Sequence, residues 1–234
     1  MDQKKIRTVG LTGGIGAGKS SAAAYLKKKG FVHIDADEIS RQLTVKGSPM
    51  LSVLNRIFGA TGEMGKEGME ILEADGSLNR KALASLVFTD EKKKQRLDQL
   101  MFGAIIQEID SRIEGVRLGK EMIFRRETEQ EEDPAGILLD APLLFESGLD
   151  SRCDLVMLMV AEEDVRIERV CRRDGVTVAE VRNRINSQMS DEEKRKRADI
   201  VLDNSGNQQQ LERKLETFFA KFSKNSCNRF RQVL

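Results

Sequence analysis

The sequence predicts an α/β fold, a central parallel sheet flanked by helices, with a helical insertion on one side. Three observations predict it. Short apolar runs of strand length alternate with stretches of helical spacing along the chain, a pattern that builds crossover units and parallel pairing. Asp154–Ala161, "DLVMLMVA", is continuously apolar, as befits a central strand covered on both faces. The stretch from Asp37 to Arg117 is helical with only a loop inside it, so it stands outside the sheet.

The elements follow in order. Ile6–Thr12 reads as a short buried strand, Ser20–Lys29 as a helix ended by Gly30, and Phe31–Asp35, "FVHID", as a second strand. A helix runs from Asp37 towards Val45, and Pro49 starts another through Phe58. Gly59–Gly76 holds five glycines and no clear period, so it is a loop. Asn79–Phe88 and Glu91–Arg117 are helical; Leu97, Leu100, Met101, Ile105, Ile109 and Ile113 form a stripe on the second. Arg125–Pro134 is a charged run with no apolar residue and reads as a solvated loop. "GILLD" is a buried strand ending at Asp140, before Pro142. Glu163–Arg173 and Val178–Gln188 are helical, Asp191–Arg197 is highly charged, Asp199–Asn204 is the last strand, and a helix runs from Gln208 to Lys221. There is no internal repeat.

Composition bounds the function. With 39% hydrophobic residues in 234, the chain can bury a sizeable core. Lys+Arg number 39 against 38 Asp+Glu, so bulk charge gives no footprint for nucleic acid or a membrane surface. With no Trp and one Tyr, stacking platforms for single strands are missing. Three widely spaced cysteines without a CxxC pair read as reduced thiols of a cytoplasmic protein. "MDQKKIRT" has no apolar core of a secretory signal, and no apolar run reaches membrane-spanning length. The lone histidine, His33, excludes multi-histidine metal sites and reads as structural.

The chemistry begins at Gly13-Gly14-Ile15-Gly16-Ala17-Gly18-Lys19-Ser20. This is G-x-x-x-x-G-K-[ST], the P-loop, placed after a strand and before a helix. Glycines let the backbone turn and approach a ligand closely. The amides and the helix N-terminus then form a phosphate-sized anion hole. Lys19 reaches the β- and γ-phosphates, and the Ser20 hydroxyl ligates Mg²⁺. The fold class is therefore a P-loop NTPase core, and the protein binds a nucleoside triphosphate.

A guanine-reading N-K-x-D is absent, which argues against a GTP switch. A small-molecule kinase needs a carboxylate at the acceptor hydroxyl and cations for the transferring group. Asp35 and Asp37 lie at the carboxyl end of the second strand, where open α/β sheets bind ligands. Either can also cap the following helix; one is expected to cap and the other, Asp37, to act. Asp140 is a Walker B-like carboxylate for Mg²⁺, or caps a turn before Pro142. Arg166, Arg169 and Arg173 share a helical face, with Arg172 offset, and read as part of a lid over phosphates. Cys171 beside them reads as inert. A kinase of another small alcohol and an ATP-dependent switch remain the competing readings.

The segments "VGLTGGIGAGKS", "HIDADEISRQL", "DAPLLFESGL", "RVCRRDGVT" with "RINSQ", and "ADIVLDNSG" occur in this order. Together they closely resemble the dephospho-coenzyme A kinase family, from Ile6 to about Leu215. "PLLFE" sets the chain apart from adenylate and shikimate kinases. The resemblance implies transfer of the ATP γ-phosphoryl group to the ribose 3′-hydroxyl of dephospho-CoA, with Mg²⁺ as cofactor. It implies Asp37 as base, with Lys19 and Arg173 stabilising the transferring phosphoryl. ATP falls to Gly13, Gly14, Ile15, Gly16, Ala17, Gly18, Lys19, Ser20 and Ser21, with Arg169, Asn204 and Gly206. The acceptor falls to Asp35, Asp37, Leu143, Phe145 and Glu146, and metal to Ser20 and Asp140. It also implies three parts: a nucleotide-binding core (1–36, 118–165 and 199–234), a helical acceptor-binding region (37–117) and a lid (166–198). The chain departs from the family at Phe102-Gly103, where His-Pro is usual, and carries longer segments around 59–76 and 120–136. It leaves the oligomeric state open.

Overall fold

The computed structural model describes residues 6–120, 123–125, 130–224 and 232–233. Its sheet is parallel throughout. The strands are β1 (Thr8–Gly13), β2 (Phe31–Asp35), β5 (Gly136–Asp140), β6 (Leu155–Val160), β7 (Ile200–Asp203) and a short β8 (Gln232–Val233). They lie in the order β2-β5-β1-β6-β7-β8. The chain fills one side of β1 with β2 and β5, then crosses to the other with β6 and β7. The reversal falls at β1, so its carboxyl end opens a crevice where open α/β sheets take ligands. β1, β5 and β6 are buried at every position, which is why their sequences are apolar without alternation.

The helices are α1 (Lys19–Lys28), α2 (Ala36–Gln42), α3 (Pro49–Phe58), α4 (Arg80–Phe88), α5 (Glu91–Arg117), α6 (Glu163–Asp174), α7 (Val178–Asn186), α8 (Asp191–Arg197) and α9 (Gln208–Ser223). α1 and α9 cover one face of the sheet. Ala22, Ala23, Leu26, Leu211, Leu215, Phe218 and Phe222 pack there with Val9, Leu11, Met157 and Leu202. Local chemistry sets the helix starts. Ser48 caps α3 with Pro49 next to it, Asn79 caps α4, and capping boxes start α7, α8 and α9. Among the described residues no helix is long and apolar enough to cross a membrane.

Three findings differ from the sequence reading. The charged run at 125–134 is not all loop: β3 (Ile123–Arg125) and β4 (Gln130–Glu132) pair antiparallel. Backbone pairing across a short connection needs no apolar face, so composition hides it; residues 126–129 lie outside the described residues. Asp191–Arg197 is a helix, started by Ser190 and Glu193. Gly59–Gly76 has no regular element, but Ile71 inside it is fully buried against Leu54 and Phe58.

The chain divides into two compact units, Met1–Asp35 with Arg112–Leu234, and Ala36–Ser111. The first holds the sheet. The second has its own core, in which Leu51, Leu54, Ile57, Phe58, Ile71, Leu83, Leu86 and Val87 are buried. A third small cluster, Ile167, Val170 and Val181, joins α6 to α7.

Candidate functional site

The turn between β1 and α1 is built to receive an anion. Gly16 and Gly18 hold φ of 78° and 89°, the left-handed region that favours glycine. A Cβ on Gly18 would overlap the Asn204 amide, and one on Gly13 would meet the Met159 carbonyl at 2.7 Å. α1 begins at Gly18 with no side-chain cap and no acidic residue in its first turn. The Ser21 N–H turns back to the Gly18 carbonyl (3.1 Å), so the amides ahead of it are the ones placed for a ligand, where the helix dipole favours negative charge. A cavity of about 440 Å³ opens there, lined by Gly14, Gly16, Gly18, Lys19, Ser20 and Ser21 together with Arg169, Arg173 and Asn204. Arg169 donates from Nη2 to the Gly206 carbonyl (3.3 Å). Its Nη1 is buried and has no hydrogen-bond partner, a donor awaiting an acceptor.

Asp140 ends β5 beside this turn, its side chain 5% exposed. One oxygen meets Lys19 Nζ and the other lies 3.2 Å from His33 Nε2. Burial works to raise the carboxyl, but the His33 hydrogen bond and the Lys19 charge outweigh it and hold Asp140 below the ordinary carboxylate value. His33, Asp35 and Asp140 each offer a ligand atom, all within 4.8 Å of one another. The parallel register explains the grouping, because Asp35 sits opposite Asp140 and His33 opposite Leu138. An anion cradle with a lysine and a buried carboxylate at its base is the arrangement of a nucleoside triphosphate site.

Known proteins decide the family. A family model for dephospho-CoA kinase matches residues 7–210. This chain belongs to the dephospho-CoA kinase family. A dephospho-CoA kinase of Corynebacterium diphtheriae is 36% identical over 218 residues, 93% of this chain and 98% of that protein. One from Fusobacterium nucleatum is 32% identical over 213 residues, 91% of this chain and 97% of that protein. A crystal structure of a Thermus thermophilus protein superposes with a TM-score of 0.69 at 30% identity, covering 93% and 98% of the two chains. A dephospho-CoA kinase structure from Campylobacter jejuni shares the fold, with a TM-score of 0.64 at 20% identity and coverage of 94% and 98%.

In this member of the dephospho-CoA kinase family the site residues fall as follows. The glycine-rich turn, Lys19, Ser20, Arg169, Arg173 and Asn204 come together at the cavity. Asn204 is buried and donates to the Ala17 carbonyl (3.0 Å), bracing the turn from below. Arg173 is exposed and grips Asp174 with two hydrogen bonds, of 2.6 and 3.0 Å. Leu143 is 47% exposed and Phe145 is buried; the Arg197 guanidinium lies 4.5 Å over the Phe145 ring. Glu146 pairs with Lys194 (3.4 Å). Asp37 is exposed in the first turn of α2, directly after β2.

Three residues have partners that the sequence reading did not supply. His33, read as structural, touches Asp140; its two-residue spacing from Asp35 puts both on one strand face, a signal present in the sequence. Arg166, grouped with the lid arginines, is instead buried. It donates from Nε to the Ile15 carbonyl (2.8 Å) and from Nη1 to Asp191 (2.9 Å). Gln188 accepts from the Ile15 N–H (3.1 Å). Both backbone groups of Ile15 are thus held by side chains from α6 and the turn after α7, and Ile15 packs on Ile167 and Val170. Gln188 closes the "RINSQ" segment on which the resemblance rests, but that segment gave it no role.

Proposed function

We propose that this chain transfers the γ-phosphoryl group of ATP to the ribose 3′-hydroxyl of dephospho-CoA, giving coenzyme A. The match to the dephospho-CoA kinase family over residues 7–210 carries this reading. In the proposal the turn Gly14 to Ser21 binds the β- and γ-phosphates through amides other than those of Ile15, Ala17 and Ser21, which already have partners within the chain, and Lys19 exchanges Asp140 for phosphate oxygen. Arg169 adds its buried donor to the nucleotide. Arg173 exchanges Asp174 for the transferring group, whose loose transition state needs charge stabilisation rather than covalent help. Asp37 orients the 3′-hydroxyl and accepts its proton. Asp35 with Leu143, Phe145 and Glu146 forms the acceptor side, residues 37–117 the acceptor-binding region and 166–198 the lid that excludes water, with Arg166 not among its phosphate-facing arginines but anchoring it to the phosphate-binding turn.

Ser20 and Asp140 suit Mg²⁺: both are hard oxygen donors, one at the start of the phosphate-binding helix and one a buried, ionised carboxylate. They are the residues that would hold the ion. When bound with ATP it neutralises charge on the β- and γ-phosphates.

The test mixes the purified chain with Mg²⁺–ATP and, in parallel, dephospho-CoA, AMP, shikimate or pantothenate. ADP release and product mass are followed. Fast release only with dephospho-CoA, and a product heavier by one phosphate, is the expected result. Release with another acceptor, or with none, overturns the substrate assignment.

A further inference from the structure

Lys194 is fully buried, and its Nζ has no hydrogen-bond partner. Glu146 Oε1 lies 3.4 Å away. Desolvating an ammonium is expensive, and an apolar residue of similar length usually serves packing as well. A buried lysine kept on one carboxylate therefore calls for a reason other than stability.

Its place on α8 supplies one. Asp191, Lys194 and Arg197 follow at three-residue steps, so they share one broad side of the helix. Together they reach two parts of the molecule. Asp191 takes Arg166 Nη1 (2.9 Å), whose Nε holds the Ile15 carbonyl (2.8 Å). Lys194 takes Glu146. Arg197 donates to Asp150 (2.9 Å) and covers the Phe145 ring. The helix start is fixed by the Ser190–Glu193 capping box. One short helix is thereby tied at its start to the apex of the phosphate-binding turn. Its remaining length is tied to the segment that follows Asp140.

We infer that Lys194 is a positioning residue for the phosphoryl transfer: it fixes Glu146, and α8 carries that constraint to the Arg166–Ile15 contact, so that the phosphate-binding turn and the Pro142–Glu146 segment are held in register. The inference rests on the functional reading above, in which Pro142–Glu146 faces the acceptor. Lys194 acts through Glu146 and touches no reacting atom.

The test compares the full-length chain with Lys194→Met, Glu146→Gln and the double variant. Acceptor KM, kcat, ATP Kd and thermal midpoint are measured for each. Because the two side chains act through one contact, each single change and the double raise the dephospho-CoA KM by the same factor, about tenfold, with no multiplication in the double. The ATP Kd stays within about twofold, because the Asp191–Arg166 link is intact in all three. A merely structural pair moves the thermal midpoint and leaves the acceptor KM where it was, and that result overturns the inference. So does a double variant whose KM rises by the product of the singles. Should Lys194→Met fail to fold, Lys194→Gln, which keeps a polar group at the site but removes the charge, decides in its place: a raised acceptor KM supports the inference and an unmoved one ends it. No transfer to dephospho-CoA by the unaltered chain sinks the functional reading and this inference with it. Transfer by the unaltered chain with unmoved variants sinks the inference alone.

Discussion

Arg166→Met tests how the phosphate-binding turn is held. The guanidinium is 6% exposed and bridges the Ile15 carbonyl and Asp191. Met keeps the length and removes both donors. Ile15 then loses a charge-assisted hydrogen bond at a part-buried position, worth about 1.5–3 kcal/mol. Asp191 is 28% exposed, so water takes over much of its half of the pair, and that loss is set at about 1 kcal/mol. The sum is about 2.5–4 kcal/mol. For a chain of this size it lowers the melting midpoint by roughly 5–16 °C. The Ile15 backbone is also freed on one side, so ATP binds more weakly. Differential scanning calorimetry and an ATP titration read the two effects. Arg166→Lys is expected to lose nearly as much, because a single ammonium cannot reproduce the guanidinium fork that reaches the carbonyl and the carboxylate together. Melting within about 2 °C of the unaltered chain, with unchanged ATP affinity in either variant, would refute the reasoning.

Three further outcomes are expected. Asp37→Asn lowers kcat at least about a hundredfold while ATP Kd stays within about twofold; equal turnover removes Asp37 from the base role. Gly18→Ala loses about 2–3 kcal/mol, since alanine is strained at φ 89° and its methyl displaces Asn204 from the Ala17 carbonyl; an unchanged urea midpoint and ATP affinity count against that account. Burial pushes the Cys153 thiol up to about 12 from 9.0. That leaves about a thousandfold less thiolate at pH 8 than an ordinary cysteine has, so iodoacetamide with peptide mass analysis should find Cys153 unmodified in the native chain and modified in urea; rapid native labelling contradicts this.

Much of the fold was legible because its signals are local. Phe31–Asp35, Pro49–Phe58, Glu91–Arg117 and Gly136–Asp140 have the bounds their patterns predict. A fully buried strand writes an uninterrupted apolar run, Pro49 sits at the first turn it favours, and a 27-residue helix repeats its stripe many times. The glycine-rich turn was legible for the same reason, since eight contiguous residues carry both its geometry and its chemistry. α8 was not read as a helix because charge without an apolar period looks like a solvated run. Its start was nevertheless written in Ser190 and Glu193, an S-x-x-E capping box.

What stayed hidden was the partner of each charged side chain. Arg166, Arg169 and Arg173 share a helical face in the sequence, yet one is buried under the turn, one offers a buried donor to the cavity and one sits on Asp174. Lys194 lies in "DEEKRKR", where every neighbouring cation is exposed, and only the tertiary approach of Glu146 sets it apart. Helical period assigns a residue to a side; it does not say what is packed against that side. The same limit makes the hidden residues informative. A charge retained in a buried place has given up its hydration, and packing alone would be met by an apolar side chain. Arg166 and Lys194 have both done so, and both are joined to α8, one through Asp191 and the other as a member of it. The cation that touches the phosphate-binding turn and the cation that touches the segment after Asp140 are thus two ends of one connection. Altering either should be felt at the substrate its own end faces.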